Sequence, residues 1–236
     1  RGLQFAVVLA LLTWLHASTA VVAQSDDRSV TWERFDVDLT LLPDGAYQVV
    51  ETQRIFFKGT YQRGFRTIPI SRVTRISNVS VEENGQPYQS GSTQPRGFTT
   101  GRDGDSLRID WVFPPTTNTS RTFVIRYRAD GAFRIYEGGD QIWWQAIYAD
   151  RPGPLQAGAV TIHLPSDVRA DQVKLAGYPS DAVQEARLVD PRTALFTTKA
   201  LASGHGFEVR LQIPHGMVNA SPPPWQEAFD RQVERD

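Results

Sequence analysis

The chain is predicted to be all-β, an antiparallel β-sandwich with room for two packed lobes. Three observations predict it. Apolar and polar residues alternate strictly in run after run. Clusters of Pro, Gly, Asn and Asp separate the runs. Between residues 28 and 217 no helix-period pattern of useful length occurs. Period two is the mark of a half-buried strand, and a sheet with one dry face needs a second layer over it.

The first strand lies in 33–41. Phe35, Val37, Leu39 and Leu41 share one parity, while Arg34, Asp36, Asp38 and Thr40 share the other. Pro43-Asp44-Gly45 then supplies a preset φ, a side chain that bonds its own backbone, and tolerance of positive φ. The chain returns through Tyr47, Val49, Ile55 and Phe57, closing a hairpin. Leu107, Ile109, Trp111 and Phe113 form the next strong run, which Pro114-Pro115 is expected to stop. Phe123, Ile125 and Tyr127 follow, then Val160, Ile162 and Leu164, then Phe207, Val209, Leu211 and Ile213. Weaker strands are predicted near 76–82, 132–137, 141–146, 183–189 and 194–198. Arg151-Pro152-Gly153-Pro154 is the best internal boundary and reads as a crossover between sheets or lobes.

The two ends differ from the middle. Leu3 to Val22 is a nearly unbroken apolar run after Arg1, and small residues precede the polar stretch Gln24-Ser25-Asp26-Asp27. Residues 1–23 therefore read as a signal peptide cleaved after Ala23, with cleavage after Ala20 or an uncleaved anchor as alternatives. Residues 24–218 form the expected β domain. At 219–236, Ser221-Pro222-Pro223-Pro224 is a stiff linker, and Trp225, Phe229 and Val233 recur at helical spacing. This helix has no evident partner in the sequence, so a membrane segment is expected beyond Asp236.

The composition excludes several function classes. With 40% hydrophobic residues in 236, the chain can bury a core. A net charge of −1 gives no field to attract nucleic acid. The absence of cysteine removes disulfides, thiolate metal sites and a Cys nucleophile. His16, His163, His205 and His215 share no ligand spacing, so no metal and no cofactor is expected. Asp103-Gly104-Asp105 lacks the oxygen ligands of a calcium loop and reads as a turn. Neither a nucleophile elbow nor a phosphate-binding glycine loop occurs.

Glu51 has core parity with Tyr47, Val49, Ile55 and Phe57. A buried carboxylate must be protonated or paired, and Arg63 and Arg66 follow in the next segment. A structural Glu51–Arg66 ion pair is the preferred reading, with Glu51 as a pocket acid the alternative. Trp143-Trp144 is the best binding feature. Adjacent strand residues face opposite sides, so one indole beside Tyr148 and Arg151 could stack on a sugar, a peptide or lipid headgroups. Burial of both indoles is the competing reading.

Taken in order, several segments resemble the bacterial membrane-protein family of domain of unknown function 2207, which includes YciQ-like proteins. They are Trp32 with its strand, Asp44-Gly45, Val49-Val50-Glu51, Phe57-Lys58-Gly59-Thr60-Tyr61 and Gly64-Phe65-Arg66-Thr67-Ile68-Pro69. Trp111-Val112-Phe113-Pro114, the segment from Tyr127 to Ala132, Trp144, Leu164-Pro165 and Pro214-His215-Gly216-Met217-Val218 complete the set. The resemblance covers about residues 30–218. It implies a signal peptide, an extracytoplasmic β domain and later transmembrane helices, with no catalytic residues to carry over. The expected function is a non-enzymatic domain at the extracytoplasmic face of the cell membrane, binding an envelope glycan or protein partner. The alternative is a secreted carbohydrate-binding or hydrolytic module using Trp143 or Trp144, with Glu51 as an optional acid.

Overall fold

A computed structural model describes residues 28–233 and 235. The expected signal peptide at 1–23 lies outside the described residues. The strands are β1 (Ser29–Leu41), β2 (Tyr47–Pro69), β3 (Arg75–Glu83), β4 (Gln86–Pro87), β5 (Gln89–Ser90), β6 (Gly97–Asp103) and β7 (Ser106–Asp130). They continue with β8 (Asp140–Ile147), β9 (Gly158–His163), β10 (Lys174–Tyr178), β11 (Val183–Asp190), β12 (Thr193–Thr198) and β13 (Phe207–Ile213), before one helix, α1 (Gln226–Val233).

These strands make an all-β sandwich. The larger sheet has ten strands in the order β11-β12-β9-β1-β2-β7-β3-β4, with β5 and β6 joined through β7. The smaller sheet runs β10-β13-β8. Pairing is antiparallel except for β1 with β9 and β5 with β6. The segment around Pro152-Gly153-Pro154 carries the chain from β8 in the small sheet to β9 in the large one. The buried apolar side chains form one continuous cluster.

The long pair β2–β7 shapes the domain. Glu51 and Arg66 both lie on β2, 15 residues apart, which in a straight strand would be about 50 Å. Their side chains nevertheless stand 2.9 Å apart. The β2–β7 ribbon must therefore fold back on itself, so that its second half covers its first. The ladder shows where: it shifts register between Phe57 and Thr60 and again between Tyr61 and Arg63. At this elbow Gly59 has φ +81, a left-handed conformation that favours glycine, and its N–H donates to Asn118 Oδ1 at 2.8 Å. Such bulges bend a ribbon and raise its twist.

The elbow corrects one expectation. Pro114-Pro115 does not end a strand, because β7 runs through it from Ser106 to Asp130. Both prolines sit in the irregular stretch between the pairs Arg63↔Val112 and Tyr61↔Thr116. β6 pairs with β7 only up to Val112, and β3 only from Phe123 onward. No ladder position requires an N–H there, so proline costs no hydrogen bond. The strand expected near 132–137 is reduced to one bridge, Arg134↔Gln141. The polar strand β6 and the short strand β10 were not predicted.

A second correction concerns the C-terminal helix, which does have a partner within the chain. Trp225 Nε1 donates to the Gly131 carbonyl at 2.7 Å. Gln226 is buried, accepting from Ile135 N–H at 3.0 Å and donating to Ile135 O at 2.7 Å. Tyr136 Oη donates to Asp230 at 2.7 Å. The ring of Phe229 meets Trp143 edge to face at 6.3 Å. Among the described residues no helix is long and apolar enough to cross a membrane.

Candidate functional site

The fold-back encloses two charged residues that stand on the buried face of β2. Glu51 and Arg66 are both fully buried. Arg66 Nε stands 2.9 Å from both Glu51 oxygens, and Nη2 is 2.9 Å from Oε1. Tyr127 Oη donates to Glu51 Oε1 at 2.8 Å, and Gln53 Nε2 donates to Oε2 at 3.1 Å. Gln53 Oε1 in turn accepts the indole N–H of Trp32 at 2.9 Å. The Arg66 guanidinium also lies 4.6 Å from the ring centre of Tyr148. Burial is the largest single influence and would lower the guanidinium pKa, but the charge and hydrogen bond of Glu51 together with Tyr127 and Tyr148 outweigh it, and the net direction is upward. Burial first, and the Glu51 charge second, push the Tyr127 phenol well above its ordinary value. Glu51 is thus engaged on both oxygens and has no face open to a substrate.

The other buried carboxylates are engaged in the same way. Glu83 accepts from Arg121 Nε at 2.6 Å, Arg121 Nη2 at 2.9 Å and Tyr88 Oη at 2.8 Å. Asp140 accepts from Tyr136 N–H and Gly216 N–H at 3.0 Å each and contacts His215 Nδ1 at 2.9 Å. Among the described residues, no group of three or more His, Cys, Asp and Glu side chains could hold a metal ion. Asp103-Gly104-Asp105 is the exposed turn joining β6 to β7.

The expected stacking surface at Trp143, Trp144, Tyr148 and Arg151 needs correction. Trp144 is 6% exposed and packs on Tyr47 and Tyr127 of the large sheet, at 5.7 and 6.3 Å between ring centres. Tyr148 and Arg151 are each 1% exposed. Tyr148 donates to the Phe65 carbonyl at 3.2 Å, and Arg151 bonds the carbonyls of Tyr148 and His205. All three are sealed by the second layer, which the fold-back and the small sheet supply. Trp143 does face the other side of β8, as strand parity requires, but it is half-buried. Arg134, Arg210 and Arg72 lie over its ring at 4.1, 5.0 and 5.7 Å, and Phe229 closes the edge.

A different concavity lies at the ribbon's elbow. Ile55 and Phe57 come from its first layer, Gly64, Phe65 and Trp111 from its second, and Trp32 from the neighbouring β1. They enclose a cavity of about 160 Å³ that is mostly apolar, with exposed Arg63 at its rim. Gly64 is required for the close approach of Trp111, since a Cβ there would stand 2.4 Å from the indole. Trp111 is 1% exposed, yet its Nε1 has no hydrogen-bond partner. Sequence reasoning missed this cavity. Its walls come from separate strands, and the only local signal was the density of aromatic residues between Phe56 and Phe65.

The protein is therefore an all-β domain whose buried charges hold its layers together, with an apolar aromatic cavity among its concave features. The chain belongs to the family described as "Predicted membrane protein (DUF2207) N-terminal domain", which matches residues 31–213. No curated protein matches it in sequence. Among solved structures it is similar to a candidate protease from Parabacteroides distasonis, at 10% identity and a TM-score of 0.46, over 78% of this chain and 40% of that one. An M1 zinc metallopeptidase from Deinococcus radiodurans is similar at 9% identity and a TM-score of 0.42, over 78% of this chain and 42% of that one. The chain thus spans about two fifths of the length of either structure.

Proposed function

We propose that this chain is the non-enzymatic, extracytoplasmic domain of a bacterial membrane protein, and that it recognises an envelope component or a partner protein. The observation that carries the reading is the state of its carboxylates. Glu51, Glu83 and Asp140 are the buried acids among the described residues, and each is engaged by donors of the fold itself. General acid–base chemistry needs such a group within reach of a substrate. Family membership supports the membrane tie, which we assign to a segment following Asp236. The apolar run at Leu3 to Val22 supports export.

The test uses purified protein and isolated envelope fractions, namely peptidoglycan sacculi, lipid vesicles and envelope proteins. Saturable retention on one fraction without release of soluble fragments is the expected result. Hydrolysis of any fraction would overturn the non-enzymatic reading. Alkaline phosphatase fused after Val218 should be active in cells, and an inactive fusion would place the domain on the other side. Of the residues named for the carbohydrate-binding or hydrolytic alternative, Trp144 and Glu51 are buried and Trp143 is half-buried beneath Phe229 and three arginines.

A further inference from the structure

The geometry points to the elbow cavity as a binding site for one aromatic ring that carries a carboxylate. The inference deepens the recognition reading above and rests on it. Size sets the first limit. A dry apolar cavity of about 150 Å³ takes up benzene, so about 160 Å³ between Trp32, Phe57, Phe65 and Trp111 suits a single ring. The walls set the second. Aromatic faces favour edge-to-face and offset contacts with another ring over a plain aliphatic chain.

Two polar groups then stand beside the cavity, one behind its wall and one at its rim. The Trp111 indole N–H is buried without an acceptor, a state that costs free energy until a partner arrives. Trp111 is a wall residue, and its Nε1 would lie 2.8 Å from a Cβ on Gly64, so the unpaired N–H sits directly behind the Gly64 wall. At the rim, the Arg63 side chain is exposed and forms no ion pair or hydrogen bond among the described residues. The exposed arginines at Arg34, Arg54 and Arg75 each face a carboxylate instead. An unneutralised guanidinium beside an apolar hole matches an anion attached to an apolar body. A planar carboxylate is a natural partner for the guanidinium fork.

Phenylacetate is the probe, and 2-phenylethanol is its neutral counterpart. The readout is the set of indole N–H resonances in a proton–nitrogen correlation spectrum of the purified protein. Phenylacetate should shift the Trp32 and Trp111 resonances, with a dissociation constant on the order of 1 mM, and leave Trp143, Trp144 and Trp225 in place. The neutral probe should bind about fivefold more weakly, as expected for one exposed ion pair. Arg63→Gln should erase that difference without altering the fold, because the side chain is exposed. Val30→Phe should fill the cavity and abolish the shifts, while a cooperative melt and unchanged Trp225 resonance show that the protein remains folded.

The peptide Gly-Gly-Phe separates two sources of the same chemistry. Binding as tight as that of phenylacetate assigns the site to a peptide C-terminus, and weaker binding assigns it to a free aryl acid. Unmoved Trp32 and Trp111 resonances, or shifts confined to Trp143 and Trp225, would overturn the site. Equal binding of both probes would overturn the role of Arg63. Retention on an envelope fraction with no response to phenylacetate would sink the cavity and leave the recognition reading standing.

Discussion

Arg66 and Arg134 are equally hidden, at 0% and 2% exposure, yet the protein treats their charges in opposite ways. Arg66 meets a carboxylate, and its guanidinium is held above the ordinary range. Arg134 forms no ion pair among the described residues. It lies among the rings of Trp143, Phe229 and Trp225, at 4.1, 4.5 and 5.4 Å, and burial lowers its pKa. The first arrangement clasps two layers of one ribbon and fixes their register. The second holds a helix against a sheet through ring faces that tolerate small displacements. A full counter-charge stands where layers must align, and a softer contact where a terminal segment docks.

Removing one partner of the clasp should give the largest effect. Arg66→Met leaves Glu51 buried with its principal counter-charge gone and should cost about 3–5 kcal/mol in urea unfolding. The double variant Glu51→Leu with Arg66→Met should recover most of that loss. A double variant no more stable than the single one would show that the pair is not the unit that matters.

Two of the buried tyrosines extend the contrast. Tyr127→Phe removes a hydrogen bond to the Glu51 carboxylate and should cost about 1.5–3 kcal/mol. Tyr47→Phe should be neutral or stabilising by up to about 1 kcal/mol, because the Tyr47 hydroxyl is buried without a partner. Equal losses at both positions would break the distinction.

Alkaline pH probes the same phenols without mutation. Burial raises the pKa of Tyr47, Tyr127 and Tyr148, so each keeps its proton in the fold where the unfolded chain has released it. Their contribution to stability is complete below about pH 10 and falls as pH rises above it. The decline reaches about 1.4 kcal/mol per pH unit for each phenol. Denaturant midpoints that stay flat from pH 10 to about pH 11 would refute the shared burial. The smallest effect is expected at the softer contact. Arg134→Met should cost about 1 kcal/mol, since it loses ring contacts but also removes a poorly compensated charge. A loss as large as that of Arg66→Met would erase the comparison.

Much of this was legible locally. Parity in β1, β7, β9 and β13 marked the buried faces, and parity alone put Glu51 inside. Arg66 could be proposed as its partner because a buried acid needs a cation nearby in the chain. The fold-back was not legible, since its cause is spread over Gly59, Asn118 and two register shifts rather than stated in one motif. Pro114-Pro115 misled for the same reason: proline ends a strand only where the ladder needs its N–H. Trp143 and Trp144 were placed on opposite faces correctly, but which neighbours would cover each depended on segments up to 86 residues away, at Phe229.

The docked segment around α1 also has a mechanical consequence. A load applied at residue 235 would reach the Tyr136–Asp230 bond first, then Gln226 on Ile135 and Trp225 on Gly131, then Asn219 on Pro43, and only then β13. The first three contacts bridge 91 to 94 residues of sequence but would break one at a time, like a zip opened from its end. β13 lies between β8 and β10, so it resists as a whole row. Under such a load the terminal segment would give way contact by contact before the layers of the sandwich are pulled apart.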